Sequence, residues 1–181
     1  HFGIMEVIDT CTVNEVPFIN LAGIGFDANV AARLKGSKLR GFKGYFSYSF
    51  KEALDYEMQE MKIVMGETQV VRNCFTVAIA NAPMYGYGFS VAPKAVYNDG
   101  LLEVMILNAA PKWRYILESY RYLNATLDKS SLTERFAVKE VTVYPKKLPI
   151  AVHFDGESML HRKGGLHFKI KEQSLRILKH K

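Results

Sequence analysis

Residues 74–80, Cys-Phe-Thr-Val-Ala-Ile-Ala, most limit what this chain can become. All but Thr76 are apolar. As a strand the run would bury side chains on both faces, so it belongs in the middle of a sheet. The surrounding sequence supplies the rest of such a sheet. Residues 4–10 and 16–22, rich in Val, Ile and Phe and split by polar residues 12–15, predict a hairpin. Residues 60–66 and 69–80 predict two strands joined by Gly66-Glu67-Thr68, and further strands are expected near 101–107, 134–144, 148–154, 166–171 and 174–179. From Leu166 to Lys171 apolar and basic residues alternate, which buries one face and wets the other.

Three stretches read as helices. Asp27 is placed to N-cap a helix over residues 30–34. Phe42, Phe46, Phe50, Leu54 and Met58 recur every four residues, which predicts a helix with one buried face. Pro111 can start a third, expected to bury Trp113, Ile116, Leu117, Tyr120 and Leu123. Many strands with two or three inserted helices predict a mainly β domain, a two-layer antiparallel sandwich.

At 181 residues the chain is long enough for one domain with a real core. It starts at His1 and enters a strand-like run almost at once, which predicts a fragment of a longer protein. No apolar run approaches the roughly 18 residues of a membrane span, and no signal-peptide layout is present. Cys11 and Cys74 lack metal-ligand spacing and sit among apolar residues, as reduced core thiols of a cytoplasmic protein would. The net charge of +6 favours anionic partners: nucleic acid, acidic headgroups or phosphorylated substrates. Lys35, Lys38, Arg40 and Lys43 cluster among glycines. None of the basic residues falls into a nucleic-acid motif, so nucleic acid is not an expected partner.

Candidate chemistry is sparse. Gly23-Ile24-Gly25-Phe26-Asp27-Ala28 fits a dinucleotide fingerprint, but the region about 20 residues on, where a parallel strand must carry an acid for the ribose, reads as helix. The glycines are better read as permitting a tight strand-to-helix turn. Asp99-Gly100 reads as a turn before a strand, or as one carboxylate of an oxygen-lined cation loop. There is no G-x-S-x-G, no H-E-x-x-H and no Cys/His ligand cluster. His153 and His167 alternate with apolar residues and are expected on wet strand faces, not as ligands. Near the C-terminal end, Leu148, Ile150, Val152 and Phe154 alternate into Asp155-Gly156 and then Glu157. This is either a hairpin turn with solvated acids or a general base fixed by a strand end.

Three stretches together decide how these are read. Asn20-Leu21-Ala22-Gly23-Ile24-Gly25-Phe26-Asp27-Ala28 resembles the N-x-x-G-x-G-F-D-A segment of diacylglycerol-kinase-type lipid kinases. Asn81 through Gly88, Ala92-Pro93-Lys94-Ala95 and Asp99-Gly100-Leu101 resemble that family's N-x-x-x-x-G-G-G … P-x-A-x-x-x-D-G-x-L block, with Tyr87 in place of its middle glycine. Phe154-Asp155-Gly156-Glu157 resembles its D-G-E motif. Order and spacing agree over nearly the whole chain. The family includes bacterial diacylglycerol and related lipid kinases, sphingosine kinases and ceramide kinases, and NAD kinases share its two-domain fold.

The resemblance implies that residues 1–181 are a C-terminal substrate domain. It would complete a cleft with an N-terminal nucleotide-binding domain carrying G-G-D-G-T, a motif this sequence lacks. The last strand, about 174–181, would pack on that first domain. The implied function is ATP-dependent phosphorylation of the hydroxyl of diacylglycerol or a related lipid at a membrane surface, and the isolated fragment is expected to be inactive. ATP would be bound mainly by the first domain. Glu157 would be the general base, and Asp27 and Asn29 would bind substrate. Asp99 with the carbonyls of Val96 and Leu101 would hold a structural Mg²⁺. Asn29 falls where sphingosine kinases place an aspartate, and an amide cannot pair with a sphingoid amine. The aromatic residues Tyr45, Phe46, Tyr48 and Phe50 could line an acyl slot, and the basic loop from Lys35 to Lys43 could touch an anionic membrane. A peripherally membrane-associated cytoplasmic protein is implied, and a homodimer is allowed. The rival readings are a lipid- or membrane-binding module without chemistry and a nucleotide kinase resembling NAD kinase.

Overall fold

The computed structural model describes residues 3–35, 55–86 and 88–179, with only the backbone of residues 34, 35 and 86. The expected helix over 42–54 with its aromatic residues, most of the basic loop and Tyr87 lie outside the described residues, and residues 56–58 at the end of that expected helix are not helical.

The strands are β1 (Ile4–Val13), β2 (Val16–Phe18), β3 (Leu21–Gly25), β4 (Gln59–Met65), β5 (Thr68–Ala80), β6 (Met84–Gly86), β7 (Phe89–Ser90), β8 (Leu102–Asn108), β9 (Thr133–Val138), β10 (Glu140–Pro145), β11 (Ile150–Phe154), β12 (Glu157–His161) and β13 (Leu166–Lys179). The helices are α1 (Phe26–Lys35), α2 (Lys112–Glu118) and α3 (Tyr120–Leu123). Eleven strands form one antiparallel sheet in which β5 pairs with β3, β4 and β8, while β6 and β7 form a small hairpin.

The nearly all-apolar run in β5 explains the architecture. Its first half pairs with β4, and its second half pairs with β3 on one edge and β8 on the other. Between the halves, Phe75 is a bulge opposite Asn108 and Leu107, which bends the strand from one leaf into the other. The two leaves, β12-β11-β3-β5-β8-β9 and β5-β4-β10-β13-β1-β2, enclose one core. Ala22, Ile24, Val77, Ile79, Val104 and Val152 from the first meet Cys11, Met61, Ile63, Val143, Phe168 and Ile170 from the second. The expected two-layer antiparallel sandwich with inserted helices is therefore present, as a single sheet curled upon itself.

Several boundaries differ from expectation for physical reasons. Residues 16–22 are not one strand. Asp155 accepts the backbone N–H groups of Ile19, Asn20 and Leu21 at 2.7, 2.8 and 3.2 Å, and the chain leaves β2 there to enter β3 in the other leaf. Asp27 is not an N-cap; it lies in the first turn of α1, with Oδ1 accepting the N–H of Ala28. The expected strand 134–144 breaks at Lys139, so that β9 joins β8 while β10 joins β4 and β13. The two expected strands after residue 166 are one. β13 bulges opposite Asp9, a wholly buried residue whose carboxylate accepts the N–H groups of Gln173 and Gly100. Its far half pairs with the first half of β1.

The largest correction concerns α2 and α3. Trp113, Ile116, Leu117, Tyr120 and Leu123 do share one face, but that face is exposed. The segment is held through its other face. The Tyr115 ring stacks on Phe75 at 4.0 Å and its hydroxyl donates to the Asn108 carbonyl, while Tyr122 packs on the cluster around Leu21, Ala78 and Met105.

Candidate functional site

Two features meet where β11 runs beside β3. The first is a closed polar cluster on the face of the sheet covered by α1. In the β3–β11 register, His153 lies opposite Gly23, flanked by Val152 and Phe154, which point into the core. Asp27, in the first turn of α1, comes down onto this spot. Its Oδ1 accepts bonds from the Thr76 hydroxyl at 2.6 Å and the Ala28 N–H at 2.8 Å. Its Oδ2 accepts the Tyr85 hydroxyl and lies 3.3 Å from His153 Nε2. Both Asp27 and His153 are buried, and the Tyr85 ring stands over the imidazole at 5.6 Å between centroids.

Gly23 makes this arrangement possible. A Cβ there would fall 2.0 Å from Asp27 Oδ2 and 2.5 Å from His153 Nε2. The glycine of the G-x-G segment thus vacates the space that the carboxylate and imidazole fill. Gly25, at φ +109°, makes the turn from β3 into α1, where only glycine is free of strain.

Burial pushes the Asp27 carboxyl up. The hydrogen bond and charge of His153, with the Thr76 and Tyr85 hydroxyls, outweigh this and hold it below the ordinary aspartate value of 3.8. His153 Nδ1 is buried and has no hydrogen-bond partner among the described residues. The expectation of a wet face for His153 is corrected accordingly. Alternation placed it opposite Val152 and Phe154, but α1 and Tyr85 cover that side. His167 is half-exposed, as expected, and bonds to Thr142.

The second feature is the β11–β12 hairpin. Phe154 pairs directly with Glu157, leaving Asp155 and Gly156 as a two-residue turn with φ of 48° and 84°. Positive φ at both positions is the type I′ geometry that matches strand twist. Asp155 is more than a solvated turn acid. Besides its three bonds to residues 19–21, its own N–H donates to the Leu21 carbonyl. Glu157 follows this clamped turn and is exposed. Successive strand residues face opposite ways, so by register Glu157 leaves the sheet on the face opposite His153. Helix α1, which carries the half-buried Asn29, lies against both β11 and β12.

The asparagines of the motifs tie the surrounding loops together. Asn81 Nδ2 donates to the carbonyls of Asp9 and Ile19, and Asn20 Nδ2 donates to Met84, which fixes the β6 hairpin bearing Tyr85. Asp99 lies on the turn before β8. Its Oδ1 accepts the Leu101 N–H at 3.0 Å, and its own N–H approaches the Val96 carbonyl at 3.4 Å. Asp99 Oδ1 and the Val96 carbonyl thus both face backbone N–H groups of the turn, and a Mg²⁺ held by this one carboxylate with two carbonyls would have to complete its shell with water. Among the described residues no three His, Cys, Asp or Glu side chains are grouped to hold a metal.

Sequence reasoning singled out Asp27 and Glu157 but did not place His153, Thr76 and Tyr85 around Asp27. The available signal was the pairing of a histidine in an apolar strand with a glycine able to make room for it.

Comparison with known proteins agrees with this architecture. The family model for the YegS C-terminal NAD kinase beta sandwich-like domain matches residues 20–179. A protein of Chromohalobacter salexigens assigned as a YegS-like lipid kinase is 26% identical over 158 residues, covering 85% of this chain and 50% of the relative. An uncharacterized Synechocystis protein is 28% identical over 111 residues, covering 59% of this chain and 25% of its own length. The chain thus spans half or less of these relatives. Two structures of proteins assigned as diacylglycerol kinases in Bacillus anthracis str. Sterne superpose with TM-scores of 0.70 and 0.69 at 17% and 18% identity. The superpositions cover 98% of this chain and 57% and 58% of those chains, and they show a shared fold. The chain belongs to the family of YegS C-terminal NAD kinase beta sandwich-like domains.

Proposed function

We propose that this domain provides the substrate side of an ATP-dependent lipid kinase, with Glu157 as the general base. The observation that carries the reading is the clamped hairpin. Asp155, fixed to three backbone N–H groups, holds the turn from which Glu157 emerges, so the carboxylate is positioned by rigid strands rather than by a loose loop. Phosphoryl transfer depends mainly on positioning and charge stabilisation, with a base near the attacking oxygen. Glu157 would accept the proton of a lipid hydroxyl as that oxygen bonds to the γ-phosphorus of ATP and the bond from that phosphorus to ADP breaks, with ADP as the leaving group. ATP, held mainly by a nucleotide-binding domain outside this chain, supplies the phosphoryl group when bound.

Asp27 contributes through the cluster it holds. Its carboxylate is engaged by four donors, so its contribution is to fix Tyr85, His153 and the start of α1 on the face of the sheet opposite Glu157. Asn29, farther along α1, is assigned to the substrate, and an amide there in place of an acid favours a diacylglycerol-like alcohol over an amine-bearing lipid. Asp99, with the carbonyls of Val96 and Leu101, is assigned to a structural Mg²⁺ that stiffens the turn before β8. Melting curves test this last point: Mg²⁺ should raise the melting temperature of the native chain and leave Asp99→Ala unchanged.

The test of the main proposal is Glu157→Gln in the complete protein. Turnover of diacylglycerol should fall by about 10²–10⁴-fold, and a non-catalytic binding module would show no change. Assaying NAD beside diacylglycerol separates a lipid kinase from a nucleotide kinase.

A further inference from the structure

Helices α2 and α3 are amphipathic the wrong way round for a protein core. Trp113, Ile116, Leu117, Tyr120 and Leu123 follow the spacing i, i+3, i+4, i+7, i+10, which gathers them into one stripe. Their exposures are 59%, 48%, 64%, 49% and 56%, so the whole stripe faces outward. The inward face is the polar and aromatic one described above. Exposed apolar surface of this extent is uncommon without a binding role.

We infer that this stripe is a membrane-docking face that lies flat in the headgroup region of an anionic phospholipid bilayer. The inference deepens the lipid-kinase reading and rests on it for the identity of the partner. Two observations choose a bilayer over another protein. First, the stripe joins Trp and Tyr to Leu and Ile, the mixture that settles at a membrane–water boundary. Second, the charges are complementary to anionic lipid. Arg114 and Arg121 bracket Glu118 beside the stripe. Residues 112–129 carry Lys112, Arg114, Arg121 and Lys129 against Glu118 and Asp128, within a chain of net charge +6. No described helix is long and apolar enough to cross a membrane, which fits a helix lying in the interface plane.

Trp113 is the only tryptophan in the chain, so its emission reports on this stripe alone. The protein is titrated with vesicles of phosphatidylcholine containing about 30 mol% phosphatidylglycerol. A blue shift of Trp113 emission and its quenching by bromine-labelled acyl chains are expected. Leu117→Glu should lower vesicle partitioning by about tenfold or more without changing the melting temperature, because Leu117 is exposed. Unshifted emission at saturating lipid overturns the inference. So does vesicle binding without bromolipid quenching, which puts the membrane contact elsewhere. Emission that shifts with protein concentration, alongside a dimer in sedimentation velocity, overturns it in favour of a second copy. Protection of residues 113–123 in the lipid-free complete protein overturns it in favour of another domain. Failure of the kinase reading has a different signature: unaltered turnover in Glu157→Gln, with Trp113 still quenched.

Discussion

Asp27 accepts four hydrogen bonds in a site closed to solvent, whereas Glu157 stands exposed one residue beyond a clamped turn, and His153 connects the two regions through β11. Both carboxylates belong to family-like motifs, yet their surroundings suit them to different work. A saturated, buried carboxylate has no lone pair directed at solvent and resists protonation, which makes it a structural fixture. An exposed carboxylate on a rigid strand end can take a proton and release it. The difference teaches that motif membership alone does not assign a role; the burial of each carboxylate does.

The comparison can be broken first at Asp27. Asp27→Ala leaves His153, Thr76 and Tyr85 buried around a missing partner, and chemical denaturation should show a loss of about 3–5 kcal/mol. The same contrast appears against pH. Because the folded-state carboxyl is held below 3.8, its contribution is complete above that ordinary value and disappears as pH falls through the lower folded one. Native protein should therefore lose stability in acid along a limb that Asp27→Asn flattens. An unchanged acid limb in that variant would remove Asp27 from the account.

Gly23→Ala is the next most damaging change. The added methyl meets Asp27 and His153 rather than open space, so a cost of about 1–3 kcal/mol is expected. Its thermal midpoint should drop well below that of Gly66→Ala. Gly66 has a positive φ of 58° but nothing crowds it, whereas Gly23 lies within a strand without a positive φ. Equal shifts would mean that crowding by the cluster does not explain Gly23.

A smaller loss of stability is expected at the hairpin. Asp155→Ala removes the acceptor of three backbone N–H groups near the surface, at about 1–2 kcal/mol. In the complete protein its kcat should fall further than this stability loss explains, because Glu157 loses its fixed position. Intact turnover would separate the clamp from the chemistry.

How much of this was legible in the sequence depends on the range of the forces involved. Alternation and the nearly all-apolar run announced the strands of β5, β11 and the start of β13, since a half-buried strand alternates with a period of two and one buried on both faces is apolar throughout. The continuity of β13 was not legible. It depends on Asp9 accepting the Gln173 N–H from 164 residues away. The spacing in α2 and α3 correctly grouped Trp113, Ile116, Leu117, Tyr120 and Leu123, but spacing says only that a stripe exists, not which way it faces. Tyr115 and Tyr122 decide that by anchoring the opposite side. For His153 the pattern gave the right face, while its cover came from α1 and from Tyr85 on a distant hairpin. Glu157 was singled out through the D-G-E motif, and the reason its turn is rigid, the Asp155 clamp on residues 19–21, appears only in three dimensions.

The division of labour between the two carboxylates is tested most directly by measuring kcat and melting temperature together for Glu157→Gln in the complete protein with diacylglycerol as substrate. The account predicts a melting temperature that stays with that of the native protein and a kcat about 10²–10⁴-fold lower. Native-like turnover by a folded Glu157→Gln protein would contradict it.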